Sequence, residues 1–266
     1  MEIQADRENK PLLVERRDNI AIVTINRKSH KNAVSLAMWH ELAALATELS
    51  GDREIRVIVL RGAGDDFCAG ADIGEFDNVR RDAATARIYE AANSAAFAAF
   101  RNAPIPVVAA IRGICFGGGF GLAAACDLRI ATPDALFSVP AAKLGLAYPH
   151  DAMADIVHAS GPQMAKYLAF SGARIDAQAA LAAGFLLEIV ETAKFEARVA
   201  MLAEEIAANA PLSNRASKAA IRAVLSGDAA DAMRAKTLGD ETFDSADYAE
   251  GRAAFTARRK PVFAGR

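Results

Sequence analysis

Two short segments carry residue types that bring backbone, rather than side chains, to a ligand. One is Asp66-Phe67-Cys68-Ala69-Gly70-Ala71-Asp72-Ile73, and the other runs from Gly113 through Gly117-Gly118-Gly119 to Gly121-Leu122. Each follows a β-rich run, and the second leads into a helix-forming stretch. Residues this small let a ligand approach the main chain. Amides at a helix start point outward with partial positive charge. Two such amides, one from each loop, can hold a developing oxyanion, and one donor of this kind is worth about 3–4 kcal/mol of barrier. Close helix-on-sheet packing explains a glycine run equally well, so both readings stand for Gly117, Gly118 and Gly119. A phosphate loop is disfavoured, because no Lys-Ser or Lys-Thr pair follows, and the glycines do not have dinucleotide-fingerprint spacing.

The titratable candidates are few. Ala147-Tyr148-Pro149-His150-Asp151 places three polar side chains in a row. Asp151 is a candidate base, or else the N-cap of a helix at 152–160. His150 titrates near neutral pH, or sits in solvent at that helix start. Asp72 lies in the first loop and either fixes it or touches a ligand; Glu75 is a weaker acid or base candidate. Cys68 and Cys115 flank the loops and read as small apolar filling. His158 reads as structural. The histidines (His30, His40, His150, His158) are scattered, and no plausible set of metal ligands is completed.

The elements that must position these loops can be read coarsely. Leu12–Glu15 and Ile20–Ile25 form a hairpin about Arg17-Asp18-Asn19. Ser35 caps a helix running to about Ser50. Strands follow at 56–61, 107–111 and 127–131, with a long Ala-rich helix at 80–101 and a last strand at 186–190. Strand, turn and helix recur three times in the first 140 residues, which reads as stacked ββα-like turns in an α/β fold. Helices at 194–209, 212–226, 228–243 and 246–259 complete the chain. This helical tail is too thin to hold its own core and must pack on the first part or on another subunit. The division is a core at 1–195 and a helical oligomerisation region at 196–266.

The 266 residues are 53% hydrophobic and 24% charged, enough for a packed core, and the net charge of −2 offers no nucleic-acid footprint. The three cysteines contain no CxxC pair and read as free thiols in a reducing compartment. Met1–Arg7 is charged and lacks the apolar core of a secretion leader. The longest apolar run, about 103–111, is far too short to span a bilayer. The expectation is a cytoplasmic protein that binds neither membrane nor nucleic acid.

The ordered set of segments resembles the enoyl-CoA hydratase/isomerase (crotonase) superfamily. It comprises Asn26-Arg27 with Lys31-Asn32-Ala33-Val34, the two loops, Cys126-Asp127-Leu128-Arg129-Ile130-Ala131, Leu144-Gly145-Leu146, Gly172-Ala173-Arg174-Ile175-Asp176-Ala177, Glu250-Gly251-Arg252-Ala253-Ala254-Phe255 and Arg259-Lys260-Pro261-Val262-Phe263. The likeness covers nearly the whole chain. It implies a crotonase-like spiral of ββα units with a C-terminal helical region, assembled as a homotrimer or a dimer of trimers. It implies oxyanion amides at Ala71 and Gly118. It also implies an acyl-CoA substrate, with coenzyme A as part of the thioester and no tightly bound cofactor. The CoA pocket then involves Lys28, Ala69, Ala71, Asp72 and Ile73. Lys260, from a neighbouring subunit, meets the CoA phosphates.

The chain departs from that family where hydration chemistry resides. Hydratases of the family use two glutamates, one as base and one as acid. Their positions here are Gly121, and Ala141 after Pro140. Neither moves a proton. Isomerase-, decarboxylase- or hydrolase-type chemistry is therefore favoured over hydration. Tyr148 resembles in position a tyrosine of a decarboxylase branch, and Tyr148 and Asp151 become the catalytic candidates. The alternative is an acyl-CoA-binding member that has lost catalysis.

Overall fold

The computed structural model describes residues 10–266. The charged stretch 1–7, read above as no secretion leader, lies outside the described residues. The chain opens with strands β1 (Leu12–Arg17) and β2 (Ile20–Ile25), an antiparallel hairpin turning at Asp18, whose φ is +49°. Helix α1 (Leu36–Gly51) is capped by the Ser35 hydroxyl, which accepts from the Met38 N–H at 3.3 Å. Strand β3 (Val57–Gly62) follows, then a one-turn α2 (Phe76–Val79) and the long α3 (Ala83–Asn102). Helix α3 starts later than its Ala-rich pattern suggests. Asp82 and Thr85 form a reciprocal capping box there and end the preceding loop.

Two strand–strand–helix units come next: β4 (Val107–Ile111), β5 (Ile114–Phe116) and α4 (Gly118–Ala125), then β6 (Leu128–Ala131), β7 (Leu136–Ser138) and α5 (His150–Ser171). In each unit the first strand joins one sheet and the second joins another. With β8 at Arg174–Asp176 and β9 at Glu188–Ile189, the large sheet has the order β1-β2-β3-β4-β6-β9 and is parallel beyond the first hairpin; the small one has the order β5-β7-β8. Strand β8 (Arg174–Asp176), helix α6 (Ala177–Ala182) and the short β9 (Glu188–Ile189) finish the sheets. This winding of sheet and helix is the spiral of ββα units that the sequence suggests.

Helix α5 differs from the expected 152–160. It begins at His150 and runs to Ser171, broken at Gly161, where φ is +72° and Pro162 follows. Its N-cap position is Pro149, and no side chain caps it.

Helices α7 (Phe195–Ala207), α8 (Pro211–Ser226), α9 (Ala229–Phe243) and α10 (Ala246–Ala257) end the chain. Strand β4 and the first four residues of β3, Val57 to Leu60, are apolar and buried because both faces are covered. One face packs on α1, α3 and α4 through Trp39, Phe97 and Phe120. The other packs on α7, with Val57, Val59, Val108 and Ala110 against Phe195, Val199 and Leu202. Each such side chain is worth about 1.5–3 kcal/mol of burial. Helix α7 thus completes the sheet, whereas α8, α9 and α10 bury little and leave Val224 83%, Met233 72% and Phe255 87% exposed. The closing segment is tied to α10. The Glu250 carboxylate takes both Arg259 Nη atoms at 2.5 and 2.7 Å and the Val262 N–H at 2.8 Å. No described helix is long and apolar enough to cross a membrane.

One buried side chain locks the loops above the strand ends. Asn32 is fully buried at φ +57°, in the left-handed region. Its Oδ1 accepts from the Arg27 N–H at 2.9 Å, and its Nδ2 donates to the carbonyls of Ala63 and Asp66 at 2.9 and 2.6 Å. The Asp66 carboxylate in turn accepts from the Ile114 N–H at 2.9 Å. Replacing Asn32 with Ala strands two buried carbonyls and one amide, each costing about 1–3 kcal/mol. Asn32→Ala is expected to lower stability by about 3 kcal/mol in urea unfolding, and a loss under 0.5 kcal/mol would refute a locking role.

Candidate active site

The segment 68–72 is held on both sides by main chain. On one side the Val34 N–H donates to Gly70 O at 2.8 Å, the Asp72 N–H to Val34 O at 3.0 Å and the Ala69 N–H to Lys31 O at 2.9 Å. On the other, the Cys68 N–H donates to Ile114 O at 2.9 Å and the Phe116 N–H to Cys68 O at 3.0 Å. Loop 68–72 and the β5–α4 junction are therefore in direct contact, and the glycines are what allow it. A Cβ on Gly70, at φ +100°, would lie 2.8 Å from Phe116 O and 3.0 Å from Gly118 N. A Cβ on Gly119 would lie 2.3 Å from Cys68 O. Close packing of main chain is therefore what requires glycine at these two positions.

The contact brings two N–H groups together. A Cβ built on Gly118 would be 3.6 Å from Ala71 N. Gly118 is the first residue of α4, so its N–H has no partner within the helix. No hydrogen bond among the described residues takes the N–H of either Ala71 or Gly118. Two donors converging on one point can polarise a carbonyl and hold the oxyanion that follows.

Trp39 supports this junction from below. Its ring would lie 2.9 Å from a Cβ on Gly118, its Nε1 donates to Tyr89 Oη at 3.0 Å, and Tyr89 Oη donates to Val34 O at 3.1 Å. Burial pushes the Tyr89 hydroxyl up to about 12, so it stays a donor. Asp72 is occupied in the loop, accepting from Arg27 Nη1 at 2.8 Å and from the Gly74 N–H at 3.0 Å. Burial pushes its carboxyl up, but Arg27 and the Gly74 N–H outweigh this and hold it below the usual carboxylate range. Glu75 accepts from the Leu36 N–H at 2.9 Å at the start of α1, which gives it a structural role in place of acid–base work.

Of the two positions lacking a carboxylate, Gly121 has a packing reason. A Cβ on Gly121 would lie 2.7 Å from the Phe97 ring. Phe97, on α3, fills the volume a longer residue would need. Ala141 lies on a short 3-10 turn, Pro140–Leu144.

Tyr148 reaches the junction itself. Its hydroxyl donates to Gly117 O, immediately before α4. Burial raises its phenol well above the ordinary value; the nearby Glu90 adds to this, while the Gly121 N–H works the other way. Asp151 is drawn elsewhere. It lies in the first turn of α5, 3.4 Å from Arg101 Nη2, and the same guanidinium holds the buried Asp155 at 2.6 Å. It is therefore not the N-cap that the sequence suggested. His150 and His158 are exposed. The three cysteines are buried, and burial raises the Cys68 thiol to about 12, which suits filling rather than attack.

The structure thus groups Ala69, Ala71, Asp72, Ile73, Gly118 and Tyr148. Lys28 is exposed on the adjacent turn, against Gly64, and lines a groove of 1160 Å³ with Arg27, Arg61, Arg112 and Glu196. That groove opens toward α7, on the sheet face away from Phe97. Lys260 is not in the group. Its segment is anchored near the other end of β3, where Arg56 Nη2 donates to Phe263 O at 2.7 Å. That end is about 20 Å from Gly62 along the strand.

One titratable residue in this region was missed. Glu90 lies mid-way along α3, accepts from Arg80 Nη2 at 2.7 Å, and its carboxyl is raised by burial, against the pull of Arg80. It has no motif, and only the packing of α3 against the α4–α5 layer brings it near Tyr148. Its place in an Ala-rich helix gives no signal in one sequence.

The family model described as enoyl-CoA hydratase/isomerase matches residues 15–266. A short-chain-enoyl-CoA hydratase of Clostridium acetobutylicum is 31% identical over 252 residues, covering 94% of this chain and 95% of its own. A crotonyl-CoA hydratase of Syntrophomonas wolfei is 31% identical, covering 95% and 97%. A crystal structure of an enoyl-CoA hydratase/carnithine racemase from Magnetospirillum magneticum superposes with a TM-score of 0.91 at 39% identity, covering 97% of this chain and 96% of that one. With the spiral of ββα units and the paired glycine loops, these matches show that the chain belongs to the enoyl-CoA hydratase/isomerase family.

Proposed function

We propose that this chain polarises the thioester carbonyl of an acyl-CoA between the Ala71 and Gly118 N–H groups, and carries it to an enolate or tetrahedral oxyanion. The observation that carries this reading is the proximity of those two N–H groups, with no hydrogen-bond partner for either among the described residues. Coenzyme A enters as part of the substrate. Lys28, Ala69, Ala71, Asp72 and Ile73 form its binding edge, with Asp72 acting by fixing the loop. Lys260 reaches the CoA phosphates only from a second copy, as a cation.

The chemistry is isomerase-, decarboxylase- or hydrolase-type rather than hydration. Gly121 has no side chain to transfer a proton, Phe97 blocks the space for one, and Ala141 offers none. Missing acid–base groups typically remove about 10²–10⁴ of rate each. Tyr148 is a hydrogen-bond donor at the helix start, and Asp151 is a more distant charge held by Arg101. The exposed apolar side chains of α8 to α10 support assembly into a trimer or a dimer of trimers, and the buried free thiols support a reducing, cytoplasmic setting.

Crotonyl-CoA is expected to bind, measured by calorimetry, while hydration followed by loss of conjugated absorbance is slow. Fast hydration would refute the exclusion of hydratase chemistry; absence of binding would refute the acyl-CoA site. Gly121→Glu alone is expected to cost about 1–3 kcal/mol by overpacking against Phe97 and to gain no hydration. Pairing it with Phe97→Ala makes room, and hydration should rise; a gain in the single variant would contradict the packing argument. Gly118→Ala drives a methyl into Trp39 and should lower turnover by about 10²-fold, with a smaller effect on thioester affinity.

A further inference from the structure

Four observations converge on one face of α3. Glu90, Asn93 and Phe97 are spaced i, i+3 and i+7, so they share that face. Phe97 abuts Gly121, which places the face against α4 and the oxyanion junction. Asn93 is 6% exposed, and its Oδ1 has no hydrogen-bond partner among the described residues, although a buried acceptor without a partner is costly. Glu90 is half-buried against Arg80, whose guanidinium lies 4.8 Å over the Phe76 ring and 4.4 Å over the Tyr89 ring. This face is polar where packing alone calls for apolar residues, and its unsatisfied acceptor points to a ligand.

We propose that Glu90 is the carboxyl group that removes and returns the α-proton of the bound acyl thioester, taking the role left vacant at Gly121 and Ala141. The proposal rests on the acyl-CoA reading above. A Glu90 oxygen bonds to the proton as the C2–H bond breaks. The electron pair moves into the C1–C2 bond and onto the thioester oxygen, which the Ala71 and Gly118 N–H groups hold. The reverse step returns the proton to C2; with a β,γ-unsaturated acyl group it delivers the same proton to C4 and leaves the α,β-unsaturated thioester. No oxidant or further reactant enters. Asn93, one turn along, accepts a hydrogen bond from the ligand.

The groups that act on the Glu90 carboxyl are Arg80 before α3, and Tyr148 and Asp151 on the opposite side, with Arg101 holding Asp151. Burial raises the carboxyl above its ordinary 4.5, and Arg80 opposes this. The active form is the carboxylate, so exchange activity rises with pH through that raised value. Removing the Arg80 cation moves the rise to higher pH.

The test uses butyryl-CoA, which can exchange its α-protons but cannot isomerise. Binding is measured by calorimetry, and deuterium uptake at C2 from D₂O by mass spectrometry. The expected result is binding and exchange in the unaltered protein, exchange lowered by about 10²–10⁴-fold in Glu90→Gln with binding kept, and partial recovery in Glu90→Asp. Binding with no exchange, or exchange undiminished in Glu90→Gln, overturns the proposal and leaves the acyl-CoA site standing. No binding in the unaltered protein overturns the acyl-CoA reading itself. If Glu90→Gln does not fold, the pH profile of exchange in Arg80→Gln decides: an inflection moved upward supports Glu90, and an unmoved one overturns it.

Discussion

The structure depends on two backbone segments meeting at less than the distance a Cβ would allow. Gly70 and Gly119 have no room for a methyl group, because main-chain atoms lie within 3 Å of where it would sit. The contact places two amides from distant parts of the chain side by side. An oxyanion site made of backbone has an advantage over one made of side chains: its donors are fixed by hydrogen bonds already present, so little reorganisation is needed when charge develops.

That contact is held by polar groups rather than by apolar burial alone. Asn32 bonds three main-chain groups from two loops, and Asp66 continues the link to Ile114. Trp39 and Tyr89 carry the same function from the core side, ending on the Val34 carbonyl that neighbours Ala71. Buried polar networks of this kind are costly when incomplete and rigid when satisfied. The apolar core supplies the bulk of the stability, through the two faces of the large sheet, while these few bonds supply the geometry.

The proposed departure from hydration rests on Gly121 and Ala141, neither of which carries a carboxylate. At Gly121 a phenylalanine ring from another helix lies where a longer side chain would go, 2.7 Å from the position of a Cβ. A half-buried carboxyl, Glu90, lies on the same helix face as that ring.

Much of this was legible in the sequence. Glycine and small-residue spacing identified both loops. Apolar runs located β3 and β4, and Ser35 marked a helix start, because caps and buried strands are local consequences of residue type. That Gly121 and Ala141 carry no carboxylate is likewise a fact of sequence. Tertiary structure alone decided which side chains face the junction. Tyr148 and Asp151 are three residues apart, yet one bonds Gly117 O and the other turns to Arg101, because α5 begins between them at His150. Glu75 caps a helix 39 positions earlier in the chain. Glu90 acquires its surroundings from Arg80, Tyr148 and Asp151, which meet only when α3 packs beside α4 and α5. Residue type is carried by the chain; proximity between residues far apart in it, and the desolvation that sets their chemistry, arise only on folding.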